Sequence, residues 1–314
     1  MATKKRVKTK SLSHGRPPLT KRTASISSKA TRTIIRTYHA LEKRQSNALA
    51  NGDDTEAAKI LQEIDARGGI KAYQRASLLG QKSERGGDSS KVLMGWLKKA
   101  NLCPGNCPIP SSINIHAPLR LLEVGALSIK NACSQSKIFD IERIDLNTQA
   151  EGITEQDFME RPLPKDASKK FDIISLSLVL NFVPSSTGRG DMLRRTLQFL
   201  RQPPPHGNSG LLQYFPSLFL VLPLSCVTNS RYLDEQRLES MMRSLGYIRV
   251  MRNFSSKLAY YLWRATDLAA CARPEIFKKV KVKGGRSRNN FSIVLKGGDN
   301  QGTIKPNESV LAKF

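Results

Sequence analysis

The stretch FDIISLSLV, Phe171 to Val179, is almost uninterruptedly apolar, and a second such run, LFLVLPL, spans Leu218 to Leu224. Strands this apolar on both faces belong in the middle of a parallel sheet that helices cover on either side. Neither run approaches the ~20 apolar residues that a membrane span needs.

The segments around these runs alternate as such a sheet requires. LRLLEVG reads as a first strand ending at Gly125. A polar, helix-like stretch follows, and then FDIERIDL forms a second strand ending at Asp145. ITEQDF reads as a brief third strand, which makes FDIISLSLV the fourth and LFLVLPL the fifth. DMLRRTLQFLR and LDEQRLESMMRSLGY have helical periodicity, whereas YIRVMRNFSS and KLAYYLWRA alternate with period two around a tight polar turn. The order predicts an α/β sandwich whose parallel sheet ends in a C-terminal β-hairpin.

Upstream, residues 31–100 read as a helical segment. Ile34, Ile35, Tyr38 and Leu41 share one helical face. After the turn NGDD, with Asp54 as the expected cap, Ala57, Ile60, Leu61 and Ile64 share another. A third element carries AYQRAS, and a last helix carries Val92, Leu93, Trp96 and Leu97. The expected layout is a disordered basic arm over 1–30, the helical segment over 31–100, the sheet domain over 101–270 and a basic tail over 271–314. Within that tail, FSIVLK (Phe291–Lys296) is a candidate edge strand.

Charge narrows the partners. The chain carries 51 Lys and Arg against 26 Asp and Glu, a net charge of +25, which points to a polyanion such as nucleic acid. The run KKRVKTK at Lys4–Lys10 suits either a nuclear or nucleolar address or an RNA-grasping tail. The N-terminus has no apolar core of a secretory signal. Five irregularly spaced cysteines, Cys103, Cys107, Cys133, Cys226 and Cys271, argue for reduced thiols rather than a disulfide scaffold. CPGNC with His116 nearby is half a zinc site at most, so no metal is expected.

In open parallel sheets, ligands bind beyond the carboxyl ends of the strands, where strand order reverses. Gly125, with Glu123 just before it, closes the first strand. A glycine there lets the backbone approach a ligand. Asp145 closes the second, placed to accept hydrogen bonds from two ribose hydroxyls. Asp157 and Phe158 end the third strand, the acid suited to an adenine amino group and the ring to an adenine face. LLEVGALS lacks the G-x-G-x-x-G that cradles a pyrophosphate, which favours S-adenosylmethionine over a dinucleotide. After the fourth strand, Asn181 and Phe182 are target-base candidates, one for edge contacts and one for stacking. Gly188–Arg189–Gly190 reads as a phosphate contact or a turn.

LLEVGALS, FDIERIDLN, EQDFMERP, FDIISLSLVLNFVPSSTGRGDML and VLPLSCVTNSRYLDEQRLESMMRSLGY together resemble the fungal 25S ribosomal RNA adenine-N1 methyltransferases. A related animal branch acts as an S-adenosylmethionine sensor. The resemblance covers roughly residues 31–270, including YQRAS and RGGDSSKVLMGWL. It implies a Rossmann-like methyltransferase sheet and S-adenosylmethionine as cofactor. The implied substrate is rRNA or a pre-ribosomal particle, met in the nucleolus. It also implies cofactor contacts from Gly125 and Asp145, with Asp157, Phe158 and Ser175 or Ser177 lining the same pocket and Arg75 reaching in from the helical segment. The methyl donor is already activated and adenine N1 has a free lone pair, so no general base is assigned. A non-catalytic sensor and an RNA-binding assembly factor with the same fold are the alternatives. The +25 charge argues against the sensor.

Overall fold

The computed structural model describes residues 27–80, 87–100, 118–148, 150–203, 214–269 and 275–297. The expected arm up to residue 26, the CPGNC pair with His116, and Cys271 lie outside the described residues.

Three helices form a bundle with a small core of its own: α1 (Ser28–Ala50), α2 (Asp54–Ala66) and α3 (Gly69–Gly80). Ser27 caps α1, its hydroxyl accepting from the Ala30 N–H at 3.1 Å. Asp53, one residue before the expected cap, does the same for α2 through the Glu56 N–H at 3.0 Å. Leu41, Ala48, Ala57, Ile60 and Ile64 fill the space between α1 and α2. Leu61, expected in that stripe, is 46% exposed, because α2 packs chiefly on α1 and buries only a narrow face.

After α4 (Ser90–Lys99) come β1 (Leu119–Val124), β2 (Phe139–Asp145), β3 (Thr154–Glu155) and β4 (Ile173–Ser177). Then follow α5 (Ser186–Phe199), β5 (Ser217–Pro223), α6 (Leu224–Thr228), α7 (Glu235–Ser244), β6 (Tyr247–Phe254) and β7 (Leu258–Ala265). They build one seven-stranded sheet in the order β3-β2-β1-β4-β5-β7-β6. The first five strands run parallel, and β7 slots in antiparallel between β5 and β6. This is the expected Rossmann-like α/β sheet with its terminal hairpin. Strand order reverses between β1 and β4, the switch point at which such sheets bind ligands.

Because side chains alternate along a strand, each strand feeds two cores. Leu122, Val124, Ile144, Ile174, Leu176 and Leu220 meet α5 and α7 on one face. Leu121, Ile173, Phe219 and Val221 meet Leu93, Met94 and Leu97 of α4 on the other. By the same alternation, Glu123, Asp145, Ser175 and Ser177 continue this second face towards the strand ends.

Two further expectations fail. No helix joins β1 to β2. Residues 126–138 form turns, held by side chains that compete with helical hydrogen bonds. Asn131 donates to Glu123 at 2.7 Å and accepts from the Ser134 N–H at 2.8 Å, and Arg143 donates to the Ser134 hydroxyl at 2.7 Å. The face that a helix there would cover is already filled by α4.

The second concerns the C-terminal segment. Residues 275–297 are neither a tail nor an added edge strand but a strap across α5 and α7. It meets the rest through an isolated bridge of Asn289 with Ser230 and folds back on itself through one of Phe277 with Leu295. Its Ile293 and Leu295 are fully buried in the core. The close fit is set by Gly190, where a Cβ would sit 1.9 Å from the Val294 carbonyl oxygen. Gly190→Ala is therefore expected to lift the strap off α5 at an overpacking cost of roughly 1–3 kcal/mol. Thermal melting should show a loss of about 2–4 °C per kcal/mol. An unchanged melting temperature would mean that the strap contributes nothing to stability.

Candidate active site

The carboxyl ends of β1, β2 and β4 lie side by side, and the loops leaving them build the site. Gly125 follows β1 with φ at +75°, a left-handed conformation that glycine adopts without strain. Its N–H donates to the Ile144 carbonyl at 2.8 Å, which binds the turn to the end of β2. A Cβ on Gly125 would stand 2.6 Å from Val179 Cγ2, beyond the end of β4. All three strand ends thus meet around a point where a side chain is missing.

Asp145 ends β2, and its Oδ1 accepts from the Asn147 N–H at 2.9 Å. Burial lifts its carboxyl above the usual carboxylate range, and the charge of Glu155 adds to the effect. Its neighbours open onto two clefts. Leu146, Glu155, Gln156, Asp157 and Glu160 line an open groove of about 370 Å³. Gln74 and Leu78 of α3, Ala126, Leu127 and Asn147 line a narrower one. Neither Gly125 nor Asp145 lines either cleft itself. Ala126, directly after Gly125, and Asn147, two residues after Asp145, line the narrow one, which holds only about 10 Å³ and is roofed by α3. The Gln74 amide donates to the Asn147 carbonyl at 2.9 Å and fixes that roof.

The other expected cofactor contacts divide. Asp157 lines the open groove, its Oδ1 held by the Met159 N–H at 2.7 Å. Phe158 is 2% exposed, its ring packed 5.3 Å from that of Phe199 in the core, so it offers no free face for stacking. Glu123 is committed to the loop after β1. Its Oε1 accepts from Asn131, while Oε2 lies 3.9 Å from Arg143 Nε and is buried without a hydrogen-bond partner. Burial raises its carboxyl pKa. Ser175 is buried beneath the site. Ser177 pairs hydroxyl to hydroxyl with Ser89, ahead of α4, at 2.7 Å. Arg75 is exposed and lines neither cleft. Gln74 and Leu78, on a neighbouring face of α3, do so instead.

Beyond β4 the backbone turns sharply at Leu178, a non-glycine residue with φ at +60°. Such a conformation costs on the order of 1–3 kcal/mol and concentrates at functional sites. The turn presents Asn181 and Phe182. Asn181 Oδ1 is buried without a hydrogen-bond partner, an acceptor left open. Phe182 is stacked at 3.9 Å on His39 of α1, and its edge meets Tyr73 of α3, which stacks on Tyr38. The helical bundle thus closes on the site through aromatic rings. Nothing in the sequence periodicity points to this cluster, because the rings come from three separated segments. Leu146, 61% exposed beside Asp145, is an apolar platform that sequence reasoning also missed. Its one signal is its place directly after the strand-end acid.

Gly188–Arg189–Gly190 is neither a turn nor a phosphate contact. It lies inside α5, and Arg189 is buried, donating to the Ser292 carbonyl at 2.7 Å. Among the described residues no group of His, Cys, Asp and Glu has the arrangement to hold a metal ion.

Residues 58–293 match the family model described as 25S rRNA (adenine(2142)-N(1))-methyltransferase, Bmt2. The chain is 39% identical over 264 residues to the 25S rRNA (adenine(2142)-N(1))-methyltransferase of Saccharomyces cerevisiae, covering 82% of this chain and 70% of that one. It is 40% identical over 261 residues to the 25S rRNA adenine-N(1) methyltransferase of Schizosaccharomyces pombe, covering 83% and 89%. Among solved structures, an rRNA methylase from Escherichia coli aligns at 13% identity with a TM-score of 0.33, over 77% of this chain and 80% of that one, too weak a likeness to bear on function. The family model spans every strand of the sheet and the yeast relatives carry the same family name, and the chain belongs to the Bmt2 family of 25S rRNA adenine-N1 methyltransferases.

Proposed function

We propose that the chain transfers the methyl group of S-adenosylmethionine to N1 of an adenine in 25S rRNA, with donor and target base held at the ends of β1, β2 and β4. The observation that carries this assignment of residues is the meeting of the Gly125 turn, Asp145 and the Asn181 loop at one sheet edge. The residues suit the donor. The missing Cβ at Gly125 lets Val179 and the loop after β4 close up against the turn, and Asp145 is a half-buried acceptor for ribose hydroxyls. Leu146 and Asp157 offer an apolar platform and an acceptor for a purine.

When bound, the donor supplies a methyl group already activated on a sulfonium centre. The task left to the chain is alignment, which supplies roughly 7–11 kcal/mol in well-oriented systems. Glu155, Asp157 and Glu160 make the donor side of the edge acidic, favourable to a cation and unfavourable to phosphate. Asn181 Oδ1 accepts from the exocyclic amine of the adenine, which leaves the N1 lone pair uncommitted. Methylation at N1 leaves the base positively charged, so no residue is needed to take a proton. The Lys4–Lys10 run and the net charge of +25 support nucleolar work on rRNA or a pre-ribosomal particle. The decisive experiment is mass spectrometry of rRNA nucleosides from cells lacking the protein. Undiminished 1-methyladenosine would overturn the assignment.

Asp145→Ala should weaken donor binding by about 1–3 kcal/mol, roughly five- to 150-fold. The ionised carboxylate is the better acceptor, and its pKa is raised in the free protein. Donor affinity should therefore fall with falling pH, beginning above the ordinary carboxylate range, and this dependence should vanish in Asp145→Ala. Calorimetry across a pH series checks both. Parallel pH profiles for the two proteins would remove Asp145 from the ribose site.

A further inference from the structure

The strap turns back on itself at Gly284–Asn290, and this tip lies on the catalytic edge of the sheet. The Asn289 amide donates to the Ser225 carbonyl of α6, directly after β5, at 2.7 Å. Val294 N–H donates to the carbonyl of Ser186, which follows the Asn181–Phe182 loop, at 2.9 Å. Since β5 pairs with β4, the tip stands beside the proposed target-base loop, on the side away from Asp145.

The strap is also strongly basic. Residues 275–297 carry seven Lys and Arg against one acid, Glu275. Among the described residues, its only ion pair is Lys283 with Asp234 at 3.7 Å. Lys278, Lys279, Lys281 and Arg286 are exposed. The fold holds them in place through backbone. Arg231 donates to the Arg286 carbonyl at 3.0 Å, Arg237 donates to the Lys278 carbonyl at 2.6 Å, and the Val282 N–H donates to the Arg231 carbonyl at 2.8 Å. Anchoring through main-chain atoms leaves the cationic heads of Lys278, Lys281 and Arg286 outward, whereas the Lys279 ammonium lies over the Tyr232 ring at 4.6 Å. The sheet edge therefore runs from acidic at β3 to basic at the strap.

We propose that the strap, through Lys278, Lys281 and Arg286, is the surface on which the phosphate backbone of the rRNA docks beside the target-base loop. This rests on the reading of the chain as an rRNA methyltransferase and adds where the RNA lies. Polyanion binding of this kind releases counterions, and each lost phosphate contact on single-stranded RNA lowers the salt slope by about 0.7.

The test compares the full chain with Lys281→Glu/Arg286→Glu and with the charge-keeping Lys281→Arg/Arg286→Lys. The probe is a fluorescent fragment of 25S rRNA, followed by anisotropy over a salt series, with calorimetry of S-adenosylmethionine binding alongside. The charge-reversed protein should bind RNA at least about tenfold more weakly, with a salt slope lower by about 1.4 for two lost contacts. It should keep its donor affinity and, in methylation assays, show a raised KM for RNA with little change in kcat. The charge-keeping protein should behave as wild type. Unchanged RNA affinity and slope in the charge-reversed protein overturn the proposal, as does an equal loss of donor affinity, which would mark the effect as structural. A wild-type chain that binds the fragment through the strap yet never methylates it would sink the activity and leave the docking surface standing.

Discussion

Gly125→Arg is expected to abolish methylation while leaving a folded protein. Two physical effects act at this position. An L side chain at φ +75° is strained by on the order of 1–3 kcal/mol, and its Cβ meets Val179 at 2.6 Å. Beyond Cβ, an arginine side chain would have to push Val179 aside, which displaces the loop after β4 and crowds the three strand ends where the donor is proposed to sit. The core strands on either side are untouched, so a domain with about 5–15 kcal/mol of stability should survive, melting several degrees lower. Calorimetry should find no donor binding, and rRNA incubated with the variant should gain no 1-methyladenosine. Gly125→Ala separates the two effects, since it carries the strain and the Val179 contact without the crowding beyond Cβ, and it should retain partial activity. Methylation by Gly125→Arg at the wild-type rate would mean that the donor lies elsewhere.

The sheet was legible in the sequence because its strands are extreme. β4 and β5 are apolar on both faces. The expected period-two alternation of the hairpin is not kept, since β7 is buried along nearly its whole length and β6 shifts register between Arg249 and Met251, so its tight polar turn was the usable signal. The strand-end residues Gly125 and Asp145 followed from the strand boundaries, whereas Asp157, expected to end the third strand, lies two residues past the short β3. What escaped has a common cause: it depends on contacts between segments distant in sequence. The basic tail becomes a strap only because Gly190, about a hundred residues earlier, leaves room for the Val294 carbonyl. Phe158 looks like a stacking ring until Phe199 and Arg195 of α5 are seen to enclose it. Arg75 and Gln74 are adjacent in the chain, and only the docking of α3 over Asn147 decides which of them faces the cleft. The missing helix after β1 shows the same effect, because α4 takes its place against Leu121 and Ile173.

Asn181→Ala should cut kcat about a hundredfold and leave donor affinity unchanged. The target adenine offers two groups on the edge that reacts, a donor at its amine and an acceptor at N1. The enzyme has to hold the base by the first while the second stays free. Asn181 Oδ1, buried and without a partner, is an acceptor of the required kind, and leaving such a group unsatisfied costs about 1–3 kcal/mol. The strained turn at Leu178 directs the chain into this loop, and misplacement of a reacting group by about 1 Å costs on the order of a hundredfold in rate. A deletion at Asn181 therefore acts on alignment more than on binding, which predicts a change in kcat at near-constant KM for the donor. Phe182 gives the control. Its ring already stacks on His39, so a base that uses that face has to displace the imidazole. His39→Ala should then leave catalysis intact or improve it, in contrast to Asn181→Ala. Single-turnover methylation of an rRNA fragment distinguishes the two variants. A full rate from Asn181→Ala would show that the amine of the adenine is held by another residue.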